Sequence, residues 1–220
     1  MSLALVIGHK NYSSWSLRPW ILLRHLRLEF REILLSLYGD AFPREIAQYS
    51  PAGRVPVLVD GGVHVWDSLA IVEHLAERTG RGWPQDIAAR ALARSVSAEM
   101  HSGFMSLRAQ CPMNIRGRRH VPQTPELLRD IERIDAIWRD CRARFGHEGP
   151  WLFGDYSAAD AMYLPVVTRF NTYGLEASAE SREYMKTSLA DPLFQDWIKA
   201  AEAETYHSKA VDTLGTPALA

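Results

Sequence analysis

Five consecutive apolar residues, Leu3-Ala4-Leu5-Val6-Ile7, lead through Gly8-His9-Lys10 into the stretch Asn11-Tyr12-Ser13-Ser14-Trp15-Ser16-Leu17-Arg18-Pro19-Trp20. A strand that is apolar without alternation is buried on both faces, so helices must pack on its sheet. The second stretch opens the first of those helices, with Trp20, Leu23, Leu26 and Leu28 as its apolar positions. Ser13 and Ser14 therefore sit where a strand hands over to a helix. The free N–H groups and positive dipole end of a helix favour an anion there. A serine at that point can donate a hydrogen bond to a bound thiolate or oxyanion. Serine is also a favoured N-cap, and both roles are open on this segment alone.

The next 60 residues continue the alternation. Phe30 to Leu37 reads as a second strand, Pro43 to Gln48 as a short helix, and Val55 to Val59 as a third strand. Asp60-Gly61-Gly62 is a hairpin turn signal, with Val63 to Trp66 returning. Asp67-Ser68 then caps a helix that runs to Thr79 and stops at Gly80. After this the pattern is helical throughout. Trp83 to Asp86 is a linker and cap, and a long helix is expected from there to about Cys111, ended by Pro112. Thr124-Pro125 opens another, with Leu128, Ile131, Ile134, Ile137, Trp138, Cys141 and Phe145 as its apolar face. Ser157-Ala158-Ala159-Asp160 is a capping box. Asp191-Pro192 opens a last helix, and Thr213 to Ala220 reads as a loose tail. The expected fold class is α/β plus all-α: a βαβαββα domain over residues 1–80, a linker at 81–86, and a helical bundle over 87–210.

Composition excludes several functions. The 220 residues hold 25 basic and 26 acidic side chains, too balanced for nucleic-acid binding driven by bulk charge. Cys111 and Cys141 have no metal-ligand or CxxC spacing, so buried free thiols in a reducing compartment are expected. No apolar run approaches the roughly 20 residues needed to span a membrane. The N-terminus has no basic start followed by a long apolar core. No metal, no membrane association and a cytoplasmic setting are the resulting expectations. Arg116, Arg118, Arg119 and His120 crowd one loop; the three arginines read as a solvated edge, with an interface or anion role second.

With these pieces in order, the chain resembles the glutathione transferases over nearly its whole length. Ser13-Ser14-Trp15-Ser16-Leu17-Arg18 is similar to the active-site loop of the serine-using members, most of all the zeta class with its Ser-Ser-Cys start. Val55-Pro56 resembles the family's Val-cis-Pro element, Asp67-Ser68 its acidic-Ser dipeptide, and Ser157 to Asp160 the capping box of its core helix. The resemblance implies a thioredoxin-like domain followed by a helical domain, glutathione as co-substrate, and a homodimer.

It also implies roles. Glutathione is a tripeptide with two carboxylates, one amine and one thiol. Its cysteinyl backbone would pair with the main chain at Val55 like an added strand, turned outward by a cis bond before Pro56. Ser68 would offer its hydroxyl and N–H to the γ-glutamyl carboxylate, and Asp67 would take the amine. The thiolate is the reactive species. A hydrogen bond to a charged group is worth roughly 1.5–3 kcal/mol, enough to lower a thiol pKa by about one to two units. Ser13 aligns with the thiol-binding position, leaving Ser14 and Ser16 to the helix start; Ser14 and Tyr12 are the rivals. The loop has no cysteine, which argues against the cysteine-using relatives.

The second substrate would sit between this loop and the first long helix of the helical domain, near Trp15, His101, Met105 and Arg108. Phe104 and Met105 also suit a bundle core at their spacing. The main expectation is conjugation of the glutathione thiolate to a small electrophile, a detoxification chemistry. A maleylacetoacetate-type isomerase or a peroxidase is the alternative, although Trp15 stands where the zeta loop has Cys. A binding or regulatory protein without turnover is the other.

Overall fold

In the computed structural model, which describes residues 3–218, the first strand β1 (Leu3–Ile7) is buried along its whole length. It lies second in a four-stranded sheet of order β2-β1-β3-β4, formed with β2 (Phe30–Leu34), β3 (Val57–Asp60) and β4 (Val63–Val65). β2 runs parallel to β1, from Leu3 opposite Phe30 to Ile7 opposite Leu34; β3 and β4 are antiparallel. Helices α1 (Ser14–His25), α2 (Phe42–Ile46) and α3 (Ser68–Thr79) complete the βαβαββα order. α1 and α3 cover one face of the sheet, where Leu17, Ile21, Ile71, Val72 and Leu75 join Leu3, Leu5 and Ile7, while Ile46 of α2 packs with Val6 and Val57 on the other; together they meet the requirement set by that unbroken apolar strand. Gly80, at φ 64°, closes α3 in the left-handed conformation that a glycine adopts without strain.

Seven helices follow among the described residues: α4 (Ile87–Ser102), α5 (Met105–Gln110), α6 (Pro125–Phe145), α7 (Ala158–Tyr173), α8 (Ala179–Ala190), α9 (Pro192–Ala203) and α10 (Lys209–Asp212). α7 is buried on every side except at Asn171, as expected of a helix at the centre of a bundle. Asp160 anchors its start: Oδ2 accepts the Ser157 N–H at 2.8 Å and the Ser157 hydroxyl at 2.9 Å, and Oδ1 accepts the Leu152 N–H at 3.0 Å. Arg18 of α1 reaches across to α7, its Nε donating to the Met162 carbonyl at 3.2 Å. The two halves thus share one continuous apolar core. Cys111 and Cys141 are buried free thiols.

The structure departs from the sequence reading at several points. The long helix expected to reach Cys111 breaks after Ser102. Gly103 stops it, and Phe104 follows at φ 60° before α5 begins. β2 ends at Leu34 rather than Leu37, and β3 starts at Val57 because Pro56 has no N–H for the ladder. Leu127, fully buried, takes the core position on α6 that periodicity gave to Leu128, which is exposed. α8 escaped detection because its buried positions are Ser181, Tyr184 and Ser188, two of them polar. The supposed tail is partly ordered: β6 (Thr216–Pro217) pairs with β5 (Arg119–His120), while Leu219 and Ala220 lie outside the described residues. The same pairing engages Arg119, whose guanidinium donates to the carbonyls of Leu214 and Gly215, so that arginine is a structural tie and not only a solvated edge.

Candidate active site

Ser13 is the N-cap of α1. Its Oγ accepts the Ser16 N–H at 3.3 Å and lies 2.7 Å from the Ser16 hydroxyl, which in turn accepts the Gly8 N–H at 3.1 Å. The division expected between a thiol-facing Ser13 and helix-capping neighbours is therefore not the one observed: Ser13 itself caps the helix. Ser14 is turned to the helical half, where its Oγ accepts from Arg169 Nη2 of α7 at 3.3 Å. Both serines are buried.

Tyr12 is engaged elsewhere. Its hydroxyl donates to Asp212 at 2.8 Å and accepts from the Ser208 N–H and Arg116, each at 3.0 Å. The C-terminal segment is thereby strapped to the loop that carries the serines. Glu204 reinforces the strap, its carboxylate accepting the N–H groups of Lys10 at 2.6 Å and Asn11 at 3.1 Å. Arg116 also donates to the carbonyls of Glu204 and Tyr206, so it too is a structural tie and not a solvated side chain.

A cleft of about 400 Å³ opens between the two halves, lined by Trp15, Ala52, Arg54, Val55, Pro56, Trp66, Asp67, Ser68 and His101. The Val55–Pro56 bond is cis, and the Val55 main chain carries no hydrogen bond among the described residues. Ser68 begins α3 with its hydroxyl buried and without a protein partner. Asp67 caps α3, Oδ1 accepting from Leu69 N–H at 3.1 Å and Ala70 N–H at 3.3 Å, and its Oδ2 meets His101 Nε2 at 2.9 Å. The His101 ring stands edge-on to Trp15 at 5.4 Å; burial lowers its pKa, against the opposing pull of Asp67.

Trp15 is held between two guanidiniums, Arg18 at 4.5 Å and Arg108 at 4.8 Å from its ring. Arg108 donates to the carbonyls of Met100, Gly103 and His101, satisfying the open end of α4. Met105 is two-thirds exposed at the start of α5, and Phe104 is buried. Of the four residues expected at a second-substrate site, Trp15 and His101 line the cleft, while Met105 and Arg108 do not. Arg54 and Trp66 line it and escaped the sequence reading. Each is next to a motif residue, Val55 or Asp67, and adjacency was the available signal.

Two family profiles match this chain: one described as glutathione S-transferase, N-terminal domain, over residues 12–78, and one described as glutathione S-transferase, C-terminal domain, over residues 119–200. A Mus musculus protein named maleylacetoacetate isomerase is 34% identical over 175 residues, covering 77% of this chain and 78% of that one. A Euphorbia esula protein named glutathione S-transferase zeta class is 30% identical over 169 residues, covering 72% and 74%. A solved glutathione transferase homolog from Burkholderia GL BGR1, with bound glutathione, shares the fold at a TM-score of 0.71 and 22% identity, covering 93% of this chain and all of that one.

Proposed function

The chain belongs to the glutathione S-transferase family, and from that premise we propose that it binds glutathione in the cleft between its two halves and transfers the glutathione thiolate to a small electrophile. The observation that carries this reading is the convergence of two unsatisfied groups on one cleft: the free Val55 main chain beside cis-Pro56 and the orphaned Ser68 hydroxyl at a helix start. A buried hydroxyl without a partner costs free energy unless a ligand completes it. A tripeptide backbone completes the first group as an added strand, and a carboxylate completes the second.

In this reading the Ser13 hydroxyl hydrogen, which in the empty protein is donated to Ser16 Oγ, turns to the sulfur and holds the thiolate, the Ser16 hydroxyl then donating to Ser13 Oγ. The position of Ser13 at the N-terminus of α1 adds the favourable dipole end. Ser14 belongs to the same loop, and Asp67 takes the ligand amine through its exposed carboxylate. Trp15, His101, Met105 and Arg108 remain the proposed surroundings of the electrophile, with Trp15 and His101 at the cleft wall. The thioredoxin-like half is residues 1–80, the linker 81–86 and the helical half 87–210. A homodimer and a cytoplasmic setting belong to the reading through the family. No helix among the described residues is long and apolar enough to cross a membrane.

Glutathione-dependent isomerisation is the second reading, favoured by the mouse relative's name. Measuring calorimetric binding of glutathione together with turnover of 1-chloro-2,4-dinitrobenzene and of maleylacetone tests both. Conjugation supports the transferase, and cis–trans isomerisation without net glutathione loss supports the isomerase. Binding with neither activity, and none toward a hydroperoxide, leaves a binding or regulatory protein.

A further inference from the structure

Three guanidiniums lie under the serine loop: Arg18 of α1, Arg108 of α5 and Arg169 of α7. Arg18 and Arg169 are buried, and Arg18 Nη1 and Nη2 and Arg169 Nε have no hydrogen-bond partner. Arg169 otherwise donates to the Pro165 carbonyl at 2.8 Å and to Ser14 at 3.3 Å. No carboxylate forms an ion pair with any of the three among the described residues. The other titratable groups facing Arg18 and Arg169 are Asp67, His101, Tyr163, Cys111 and Tyr173. Asp67 forms no ion pair with either guanidinium, its two oxygens serving α3 and His101. Burial holds the Arg169 pKa down at about 10, so it stays a cation in the working range.

Buried, unpaired cations are costly and they call for an anion. Resting on the glutathione reading above, we propose that Arg169, backed by Arg18, is a positioning residue that supplies the countercharge of the bound glutathione thiolate. The thiol proton leaves to water, and the negative sulfur left behind completes a charge pair that the empty protein lacks. Arg169 acts through its field and through the Ser14 hydroxyl, whose lone pair it occupies. At an effective dielectric constant near 20, a unit charge within roughly 10 Å changes a thiol pKa by about one unit or more.

The test is a pH titration of the ultraviolet thiolate band of glutathione bound to the wild type, Arg169→Gln and Arg169→Lys. Gln removes the charge and keeps a polar amide donor on a shorter stem. It raises the bound-thiol pKa, leaving about tenfold less thiolate at pH values below it, while glutathione affinity at acid pH stays unchanged and Lys retains most of the depression. Should Gln not fold, Arg169→Met fills the volume with apolar atoms and gives the same direction. In the wild type the depression persists from low salt to about 1 M salt, because a buried charge is poorly screened. A wild-type pKa in Arg169→Gln, equal shifts in Gln and Lys, or a depression that salt abolishes each overturns the inference while the glutathione reading stands. A wild type that binds no glutathione overturns both.

Discussion

Ser13 and Ser16 form a closed pair: the two hydroxyl oxygens stand 2.7 Å apart, and the Ser16 N–H donates back to Ser13 at 3.3 Å. The hydroxyl proposed to hold the thiolate is therefore also the cap of the first helix. Its oxygen is held in place before any ligand arrives, and capping and thiolate binding become two uses of one atom. Ser13→Ala should lose both. Removing the cap costs about 1 kcal/mol of stability. Losing a charge-assisted hydrogen bond worth roughly 1.5–3 kcal/mol should reduce kcat/KM by about ten- to a hundredfold. Tyr12→Phe should leave the thiolate in place and lower stability, because that hydroxyl serves Asp212, Ser208 and Arg116. Thermal unfolding and conjugation kinetics on both variants separate the two effects.

Ser68→Ala should behave in the opposite way. The hydroxyl makes no bond within the protein, so its loss leaves the melting temperature unchanged or slightly higher. KM for glutathione should rise about tenfold, the equivalent of one hydrogen bond to a charged group, with kcat nearly constant. A stable variant with wild-type KM would remove Ser68 from the binding site.

Glu204 is a long-range prediction. Its carboxylate accepts two successive N–H groups of the serine loop from 194 and 193 residues away in sequence. Glu204→Ala leaves both donors without a partner and should destabilise the protein by about 2–3 kcal/mol. Glu204→Gln, which retains one acceptor oxygen, should recover part of that. Denaturant unfolding gives the difference directly.

Asp160 sets a pH dependence. Burial pushes its pKa up to about 6, against three donors that favour the ionised form. A carboxyl group whose folded pKa exceeds its unfolded value contributes stability that is complete below the unfolded pKa and lost as pH rises through the folded one. Between about pH 4 and 6 this group should therefore subtract about 2–3 kcal/mol as pH rises. The slope of unfolding free energy against pH over that window should be more positive in Asp160→Asn than in the wild type.

Much of this was legible from sequence because it rests on local rules. The unbroken Leu3–Ile7 strand, the Asp67 and Thr124 caps, the Gly80 stop and the Ser157–Asp160 turn each follow from a few adjacent residues. What stayed hidden depends on distant partners. Nothing near Tyr12 announces Asp212, and nothing near Ser14 announces Arg169, because each pair is joined only by packing across the two halves. The break at Gly103 was lost within an otherwise continuous helical pattern. Arg108 reads as a surface or substrate side chain until the carbonyls left open by that break are in view.

The central claim is that this cleft holds glutathione with its sulfur ionised by Ser13. The most direct measurement is the ultraviolet difference spectrum of glutathione bound to the wild type and to Ser13→Ala across pH. The wild type should show a thiolate band at neutral pH, with a pKa about one to two units below the free thiol. In Ser13→Ala that band moves toward the free-thiol pKa while glutathione still binds. An unchanged band in Ser13→Ala, or its loss in Ser14→Ala instead, would contradict it.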